Sequence, residues 1–434
     1  MEGVGRRVPI GLVGFGTVGS SFYRLLAGGD LNRRLGATVE VAALGVRDVS
    51  RRRDLLPSTR LVQGWRPIVE DPALPIVVEL VGGIEEPLAL IREAIRRGKH
   101  VITANKALLA LHGRELFSLA AEHGVRLAFE ASVCGGIPII KVLRESLLGN
   151  RVERVVGIVN GTTNYILTRM TEDGLAYADA LRLAQQKGFA ESDPTLDVGG
   201  GDAAQKISLL AGIAFGTWVD YRNVHCEGIT GVTPKDIAFG ESIGFRFKLI
   251  AQAIRFPAGP MVCVYPALVP HDHPLSGIRN EFNAVMLDSD LLGTSVLAGR
   301  GAGGNPTASS VASDLGDLVR GLLEPGSAGE AAFGTRDPVS FDSHTARRYF
   351  HLVTANRPGI WALVTGTLAD HGINIVSVHQ KWEDRSKPSD LYVLTDEAEE
   401  WRAAEAMRKI LASPGIHSES CYFRILPSAE EPVP

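Results

Sequence analysis

Val8 to Val13 is a short apolar run that leads straight into Gly14-Phe-Gly16-Thr-Val-Gly19 and then into a helical stretch carrying Phe22, Leu25 and Leu26. Strand, glycine turn and helix in that order leave few folds open. The turn needs a residue without a side chain at Gly14. Backbone can approach a pyrophosphate only where Gly16 leaves room, and the helix packs closely on its strand at Gly19. Amide donors and the dipole at the helix start suit phosphate, so the motif predicts a dinucleotide on a doubly wound, Rossmann-type α/β sheet.

The second strand, Val39 to Val46, ends on Arg47. Proteins specific for NAD usually carry an acid there to hold the ribose 2′-hydroxyl, whereas an arginine suits a 2′-phosphate. With Arg51, Arg52 and Arg53 close behind, NADP is the preferred cofactor and NAD the alternative. Further units follow: a buried strand at Ile76 to Val81, an amphipathic helix at Pro87 to Arg97, and a strand at His100 to Thr103 that runs into Ala104-Asn105-Lys106. Ligands of such sheets sit beyond the strand C-termini, which puts Lys106 where it could meet them. A solvated lysine opening a helix is the ordinary alternative. Val125 to Phe129 reads as the next strand, closing on Glu130, and Ala131 to Pro138 is too rich in Gly and Pro to be regular.

The middle of the chain holds an acidic turn, Gly188 to Lys206, in which Glu191, Asp193, Asp197 and Asp202 precede Lys206. Pro194 and the run Gly199 to Gly201 exclude a helix interior, so the acids sit on a shaped loop, and Asp202 reads as a helix start. Asp202 and Lys206, four apart, then share a helix face. An ordinary surface ion pair is the bland reading of that spacing. Val152 to Val159 reads as a strand entering the polar turn at Asn160, which could hold a carboxylate or only cap a helix. Ile229 to Ile237 leads to what reads as a long apolar helix through Phe247, Leu249 and Ile250, and Pro306 to Leu323 is helical in period.

A net charge of −4 over 434 residues gives no footprint for nucleic acid or an anionic membrane. A small-molecule substrate is the expectation. No apolar stretch approaches the ~18 residues of a membrane span. The N-terminal apolar run breaks on glycines and is no signal peptide. Four scattered cysteines without CxxC spacing suggest neither disulfides nor zinc, and a cytoplasmic location fits. After a composition break at Glu324 to Gly329, the order strand, helix, strand, strand, helix, strand can be read: Arg348–Thr354, Ile360–Asp370, Ile373–Gln380, Leu391–Thr395, Trp401–Leu411 and Cys421–Leu426. That is a ferredoxin-like βαββαβ unit.

Along nearly its whole length the chain resembles the homoserine dehydrogenases. The matching segments are GLVGFGTVG (Gly11 to Gly19), ELVGG (Glu79 to Gly83), TANKALLA (Thr103 to Ala110) and EASVCGGIPI (Glu130 to Ile139). NGTTNYIL (Asn160 to Leu167), the acidic turn, HPL (His273 to Leu275) and GRGAGGNPTASSVASDL (Gly299 to Leu315) continue the series. The resemblance implies catalytic roles for Lys206 and Lys106, and binding of the amino acid by Glu191 and Asp202 with Asp197 in support. It implies cofactor contacts at Gly14, Gly16, Thr17, Val18, Gly19, Arg47, Lys106, Gly188 and Gly303. It also implies a monovalent cation, usually sodium, on the backbone carbonyls of Glu130, Val133, Gly135 and Ile137. Asn356-Arg-Pro-Gly359 and Gly372-Ile-Asn-Ile375 resemble an ACT sensor domain, so feedback by L-threonine is expected, with Asn356, Gly359 and Asn374 as candidate contacts.

The expected organisation is a cofactor domain at 1–138 with a return helix at 306–323, a mixed-sheet substrate and dimerisation domain at 139–305, a linker at 324–346, an ACT domain at 347–427 and a disordered tail at 428–434. No aspartate-kinase portion precedes the cofactor domain, which fits the monofunctional form, and a homodimer or homotetramer is expected. Two rivals stand beside this reading: a semialdehyde dehydrogenase using Cys134 as a thiolate, and a non-catalytic amino-acid sensor on a cofactor fold.

Overall fold

The computed structural model describes residues 7–323, 337–380 and 387–427. The expected disordered tail and most of the expected linker lie outside them. In chain order the first elements are β1 (Arg7–Val13), α1 (Thr17–Ala27), α2 (Asp30–Leu35), β2 (Thr38–Val46), β3 (Arg60–Gln63), α3 (Arg66–Val69), β4 (Ile76–Glu79) and α4 (Glu85–Arg96). β5 (His100–Thr103), α5 (Lys106–Glu122), β6 (Leu127–Ala128), α6 (Ile139–Lys141), β7 (Val152–Ile158), α7 (Gly161–Asp173), α8 (Tyr177–Gln186), α9 (Thr195–Val198) and α10 (Gly201–Phe215) follow. Then come β8 (His225–Cys226), α11 (Pro234–Ser242), β9 (Phe245–Arg255), β10 (Pro260–Pro270), β11 (Phe282–Ser289), β12 (Gly293–Arg300) and α12 (Gly304–Leu323). The last are β13 (Thr345–Thr354), α13 (Ile360–Asp370), β14 (Ile375–Gln380), β15 (Ser389–Thr395), β16 (Ala398–Glu399), α14 (Glu400–Leu411) and β17 (Cys421–Ile425).

The chain divides into two compact units. The first takes in the described residues up to Val155, Gln205–Asn223 and Asn283 to Leu323. Its sheet has the order β3-β2-β1-β4-β5-β6 with every pairing parallel, the doubly wound arrangement. Ile10, Leu12, Val41, Leu44, Val78 and Ile102 fill its core, and α12 closes one face with Ala308, Val311 and Leu315. The helix near residue 306 therefore packs against the nucleotide-type sheet, and its Asp314 accepts from the Glu130 amide 184 positions earlier in the chain.

The second unit takes in Val156–Ala204, Val224–Phe282 and the described residues from Asp337 onward. Within it the strands run β9-β10-β17-β13-β15-β14. β13, β14, β15 and β17 pair antiparallel in the order last, first, third, second, with α13 and α14 on one face, so the expected βαββαβ unit is present. Strand alternation explains how this module is used on both faces. Phe350 and Leu352 join the core under the helices. Tyr349 and His351 point the other way, toward α11.

Several local expectations are corrected. Phe245 to Arg255 is a strand and no helix, because a run buried on both sides has no period to read. The acidic turn contains a one-turn helix, α9, between Pro194 and Gly199. The strand expected at Val125 to Phe129 shrinks to Leu127–Ala128 before a 3₁₀ turn from Glu130. Phe341, at the end of the expected linker, is buried and stacks on His225. No helix among the described residues is long and apolar enough to cross a membrane.

Candidate active site

In the first unit, Gly14 has φ +100°, and a Cβ there would lie 2.5 Å from the Leu80 carbonyl oxygen. Only glycine turns the chain there. A Cβ on Gly19 would run into the Gly14 carbonyl, whereas one on Gly16 would meet nothing within 4 Å. Helix α1 starts at Thr17 without a side-chain cap and with no acid in its first turn, so its first amides face outward uncapped. Beside them lies a cavity of about 520 Å³ lined by Gly14, Phe15, Gly16, Arg47, Trp65 and Leu80 among others. An open glycine, an uncapped helix start and a cationic rim fit a dinucleotide phosphate group.

Arg51 and Arg53 line the same cavity, and so does Asp48. The Asp48 carboxylate accepts from the Ser50 amide at 2.9 Å and its hydroxyl at 2.5 Å, bonds that hold it below the usual aspartate range. Arg53 is tied to the carbonyls of Arg51 and Asp48, while Arg47 is exposed. Gly303 has φ +116° and precedes α12; a Cβ on the next residue, Gly304, would sit 2.6 Å from Ser21 Oγ and 3.0 Å from the Thr17 carbonyl. The structure thus brings the 303–304 turn against the start of α1, where Thr17 and Val18 sit.

Lys106 is the first residue of α5 and half-buried. Its placement rests on a chain of hydrogen bonds that the sequence reading did not include. Glu79, at the end of β4, accepts from Thr103 Oγ1 at 2.6 Å and from the Val81 amide at 2.7 Å. Thr103 Oγ1 accepts from the Asn105 amide at 3.0 Å, and Asn105 caps α5 while donating to the Gly83 carbonyl at 2.6 Å. Burial pushes the Glu79 carboxyl above its ordinary value. The only trace of this in sequence is an acid ending an apolar run, at Glu79 of ELVGG. Lys206 lies in α10 one turn beyond Asp202; both are buried, 8% and 4% exposed.

The carbonyl-bearing turn at 130–137 is also in the first unit. Cys134 and Gly135 both take left-handed φ, +55° and +54°. The Gly135 carbonyl accepts from Ser310 Oγ at 2.6 Å and that of Ile137 from the Ile139 amide at 2.8 Å, leaving each a second lone pair. The Val133 and Glu130 carbonyls belong to the same turn, the latter accepting a long bond from the Val133 amide. Carbonyl oxygens suit a hard cation. The Glu130 side chain caps α6 through the amides of Ile140 and Lys141, and burial raises it to about 7. Cys134, the thiol of one rival reading, is fully buried.

In the second unit the acidic turn is organised by Asn160. Its Nδ2 donates to Asp197 Oδ1 at 2.7 Å and to Asp202 Oδ2 at 2.8 Å, while its Oδ1 caps α7 at the Thr163 amide. Asn160 both caps a helix and holds two carboxylates together. Thr162 Oγ1 adds a bond to Asp197 at 3.1 Å. Asp193 is not part of this cluster: it binds the amide and hydroxyl of Thr195 and starts α9. Glu191 is exposed, and Gly188, φ +75°, ends α8 at the surface. Gly200 has φ +86°, and a Cβ there would be 2.9 Å from Cys226 Sγ.

A family model described as homoserine dehydrogenase matches residues 138–315, and one described as homoserine dehydrogenase, NAD binding domain, matches residues 14–130. The homoserine dehydrogenase of Corynebacterium glutamicum is 37% identical over 432 residues, covering 98% of this chain and 97% of its own length. That of Pseudomonas aeruginosa is 37% identical over 435 residues, with 96% and 98% covered. Among solved structures, a homoserine dehydrogenase from Thiobacillus denitrificans superposes with a TM-score of 0.91 at 36% identity, covering 97% of this chain and 98% of that one. A hyperthermophilic archaeal homoserine dehydrogenase mutant, solved in complex with NADPH, has a TM-score of 0.62 at 28% identity over 74% of this chain and all of its own.

Proposed function

The chain belongs to the homoserine dehydrogenase family, and from that premise we propose how it interconverts L-aspartate 4-semialdehyde and L-homoserine. The observation that carries the proposal is the start of α10, where a buried lysine, Lys206, follows by one turn a buried aspartate, Asp202, held by Asn160. Desolvating a lysine and an acid together costs more than an exposed ion pair returns, which favours a functional account over a structural one.

Asp202 and Glu191 take the substrate ammonium, with Asp197 in support, and so set which end of the amino acid faces the lysines. Lys206 gives its proton to the aldehyde oxygen as the alcohol forms and takes it back in the reverse direction, with Lys106 stabilising the charge that builds on that oxygen. The bound dinucleotide supplies or accepts the hydride. Arg47 and its neighbours favour NADP over NAD, since the nearby Asp48 carboxylate is committed to Ser50; the NADPH complex of the archaeal relative agrees with that preference. Thr17, Val18, Gly188 and Gly303 complete the cofactor contacts. The backbone carbonyls of Glu130, Val133, Gly135 and Ile137 would hold a monovalent cation such as sodium, whose charge would stiffen the turn that leaves the cofactor sheet.

The βαββαβ module is an ACT domain that binds L-threonine and inhibits turnover, with Asn356, Gly359 and Asn374 as contacts. The protein works in the cytoplasm as a homodimer or homotetramer. The test is reduction of NADP and NAD by the purified protein with L-homoserine, each with and without L-threonine. Turnover with NADP that threonine suppresses is the expected result. Absence of turnover in a folded, cofactor-binding protein would return the weight to a non-catalytic sensor, and a calorimetric blank with threonine would remove the regulatory role.

A further inference from the structure

Residues 225–236 run from the back of the acidic turn to the C-terminal module and are fastened at both. Against the acidic turn, the Ile229 amide donates to the Val198 carbonyl at 2.9 Å, and Cys226 Sγ donates to the Gly199 carbonyl at 3.3 Å. Gly228 packs so closely on Val198 and Gly199 that no side chain fits there, and Cys226 Sγ fills the space a Cβ on Gly200 would need. Val198 ends α9, which carries Asp197, and Gly199 and Gly200 join it to α10, which carries Asp202.

The hold from the module falls on the same stretch, at Glu227, between Cys226 and Gly228. Glu227 forms a two-pronged pair with Arg424 of β17, whose Nη2 donates to Glu227 Oε1 at 2.9 Å and to Glu400 Oε1 at 2.5 Å. His225 adds a 2.8 Å bond to Glu227. Arg424 is 2% exposed and lies over the rings of Tyr265, Phe341 and Tyr422. Burial raises the Glu227 carboxyl, but the bonds from His225 and Arg424 outweigh it and bring it down to about 2. Further along, Asp236 at the start of α11 binds His351 and Tyr349 of β13.

We infer that Glu227 is a positioning residue for the known reaction: held by Arg424 of the C-terminal module, it fixes the segment against which residues 198–200 are packed, and so sets the spacing of Asp197 and Asp202. The inference rests on the reading that these acids bind the amino-acid substrate. A helix-to-helix hinge of only Gly199 and Gly200, the second left-handed, has no rigidity of its own and takes its shape from what it packs on. Charge matters at Glu227 because its two-pronged guanidinium partner fixes orientation as well as distance.

The experiment compares wild-type protein, Glu227→Gln and Arg424→Lys in steady-state turnover, with L-homoserine and NADP varied separately, alongside melting curves and hydrogen exchange at the Ile229 amide. Glu227→Gln should raise the homoserine KM on the order of tenfold, the scale of one lost charge-assisted bond, and speed exchange at Ile229. The NADP KM should stay within about twofold, because no cofactor contact is assigned to this segment. Arg424→Lys keeps the charge without the fork and should shift homoserine KM the same way by less. An unchanged homoserine KM in a folded variant, or equal rises in both KM values, would overturn the inference. Should Glu227→Gln fail to fold, Arg424→Lys carries the same two outcomes. Wild-type protein without homoserine turnover would instead sink the substrate reading on which the inference stands.

Discussion

Asn160 and Asp202, separated by 42 residues in sequence, are joined by a 2.8 Å hydrogen bond from the amide of one to the carboxylate of the other, and the same amide also reaches Asp197. One donor group thus keeps two carboxylates at a fixed separation. Asn160→Ser retains an oxygen to cap α7 but cannot bridge. The homoserine KM should rise on the order of tenfold with the NADP KM unchanged, and the melting temperature should hold, since serine is as good a cap as asparagine. Equal loss of both substrates would mean that the helix cap was the whole function.

Lys206→Met should lower kcat by about 10²–10⁴-fold, the usual contribution of a positioned proton donor, while NADP still binds with its wild-type affinity by fluorescence titration. Retained turnover would remove Lys206 from the chemistry.

Arg47 lines the cavity beside Gly14 and Gly16. Arg47→Ala should cost kcat/KM for NADP on the order of tenfold, one charge-assisted contact, and leave kcat/KM for NAD nearly unchanged. Parallel losses with both cofactors would mean that Arg47 does not read the 2′-phosphate.

His351 is clamped between two carboxylates, with Nδ1 at 2.7 Å from Asp236 and Nε2 at 2.9 Å from Asp390. Both nitrogens must donate, so the ring is held as a cation. Burial alone would lower its pKa, but Asp236 and then Asp390 outweigh burial and raise it. A raised folded-state value means the clamp's contribution is complete below the unfolded value of about 6.5 and is lost as pH rises through the folded value. Melting temperature should therefore decline from neutral toward alkaline pH. His351→Gln should cost about 3 kcal/mol at pH 6 and show a flatter alkaline limb. A wild-type melting curve that does not move between those pH values would contradict the clamp.

Gly200→Ala places a methyl group at a left-handed φ and against the Cys226 sulfur, which should cost about 1–3 kcal/mol in melting experiments. A neutral effect would show that the turn between α9 and α10 yields easily, contrary to its packing.

What was legible in the sequence follows from how local each signal is. The strand, glycine and helix order at Val8 to Leu26 needs neighbours within one turn, and so do the bounds of α13 and β5, which match to the residue. The βαββαβ order came through because Gly and Pro separate its elements. Phe245 to Arg255 was misread because the alternation of Phe245, Phe247 and Leu249 with Arg246 and Lys248 is short, and the run beyond it, Ile250 to Ile254, is buried on both faces and keeps no clear alternation. Asn160 could be read as a polar turn residue, but not as the bridge between Asp197 and Asp202. Glu79 and Arg424 owe their roles to partners brought near by folding, and no local pattern announces them.

β10 is bordered on one side by β9 and on the other first by β8, at Cys263 and Val264, and then by β17, whose Arg424 and Ile425 pair with Ala267 and Leu268. Of the two neighbours on that second side, β17 is the last strand of the described chain. On the ribosome, β10 emerges and zips to β9 and β8, while its edge at Ala267 and Leu268 stands open until β17 has been translated. For that interval the nascent protein carries a partly bare edge on a strongly apolar strand. Shielding of that edge therefore waits on the βαββαβ module, translated well after the strand it covers.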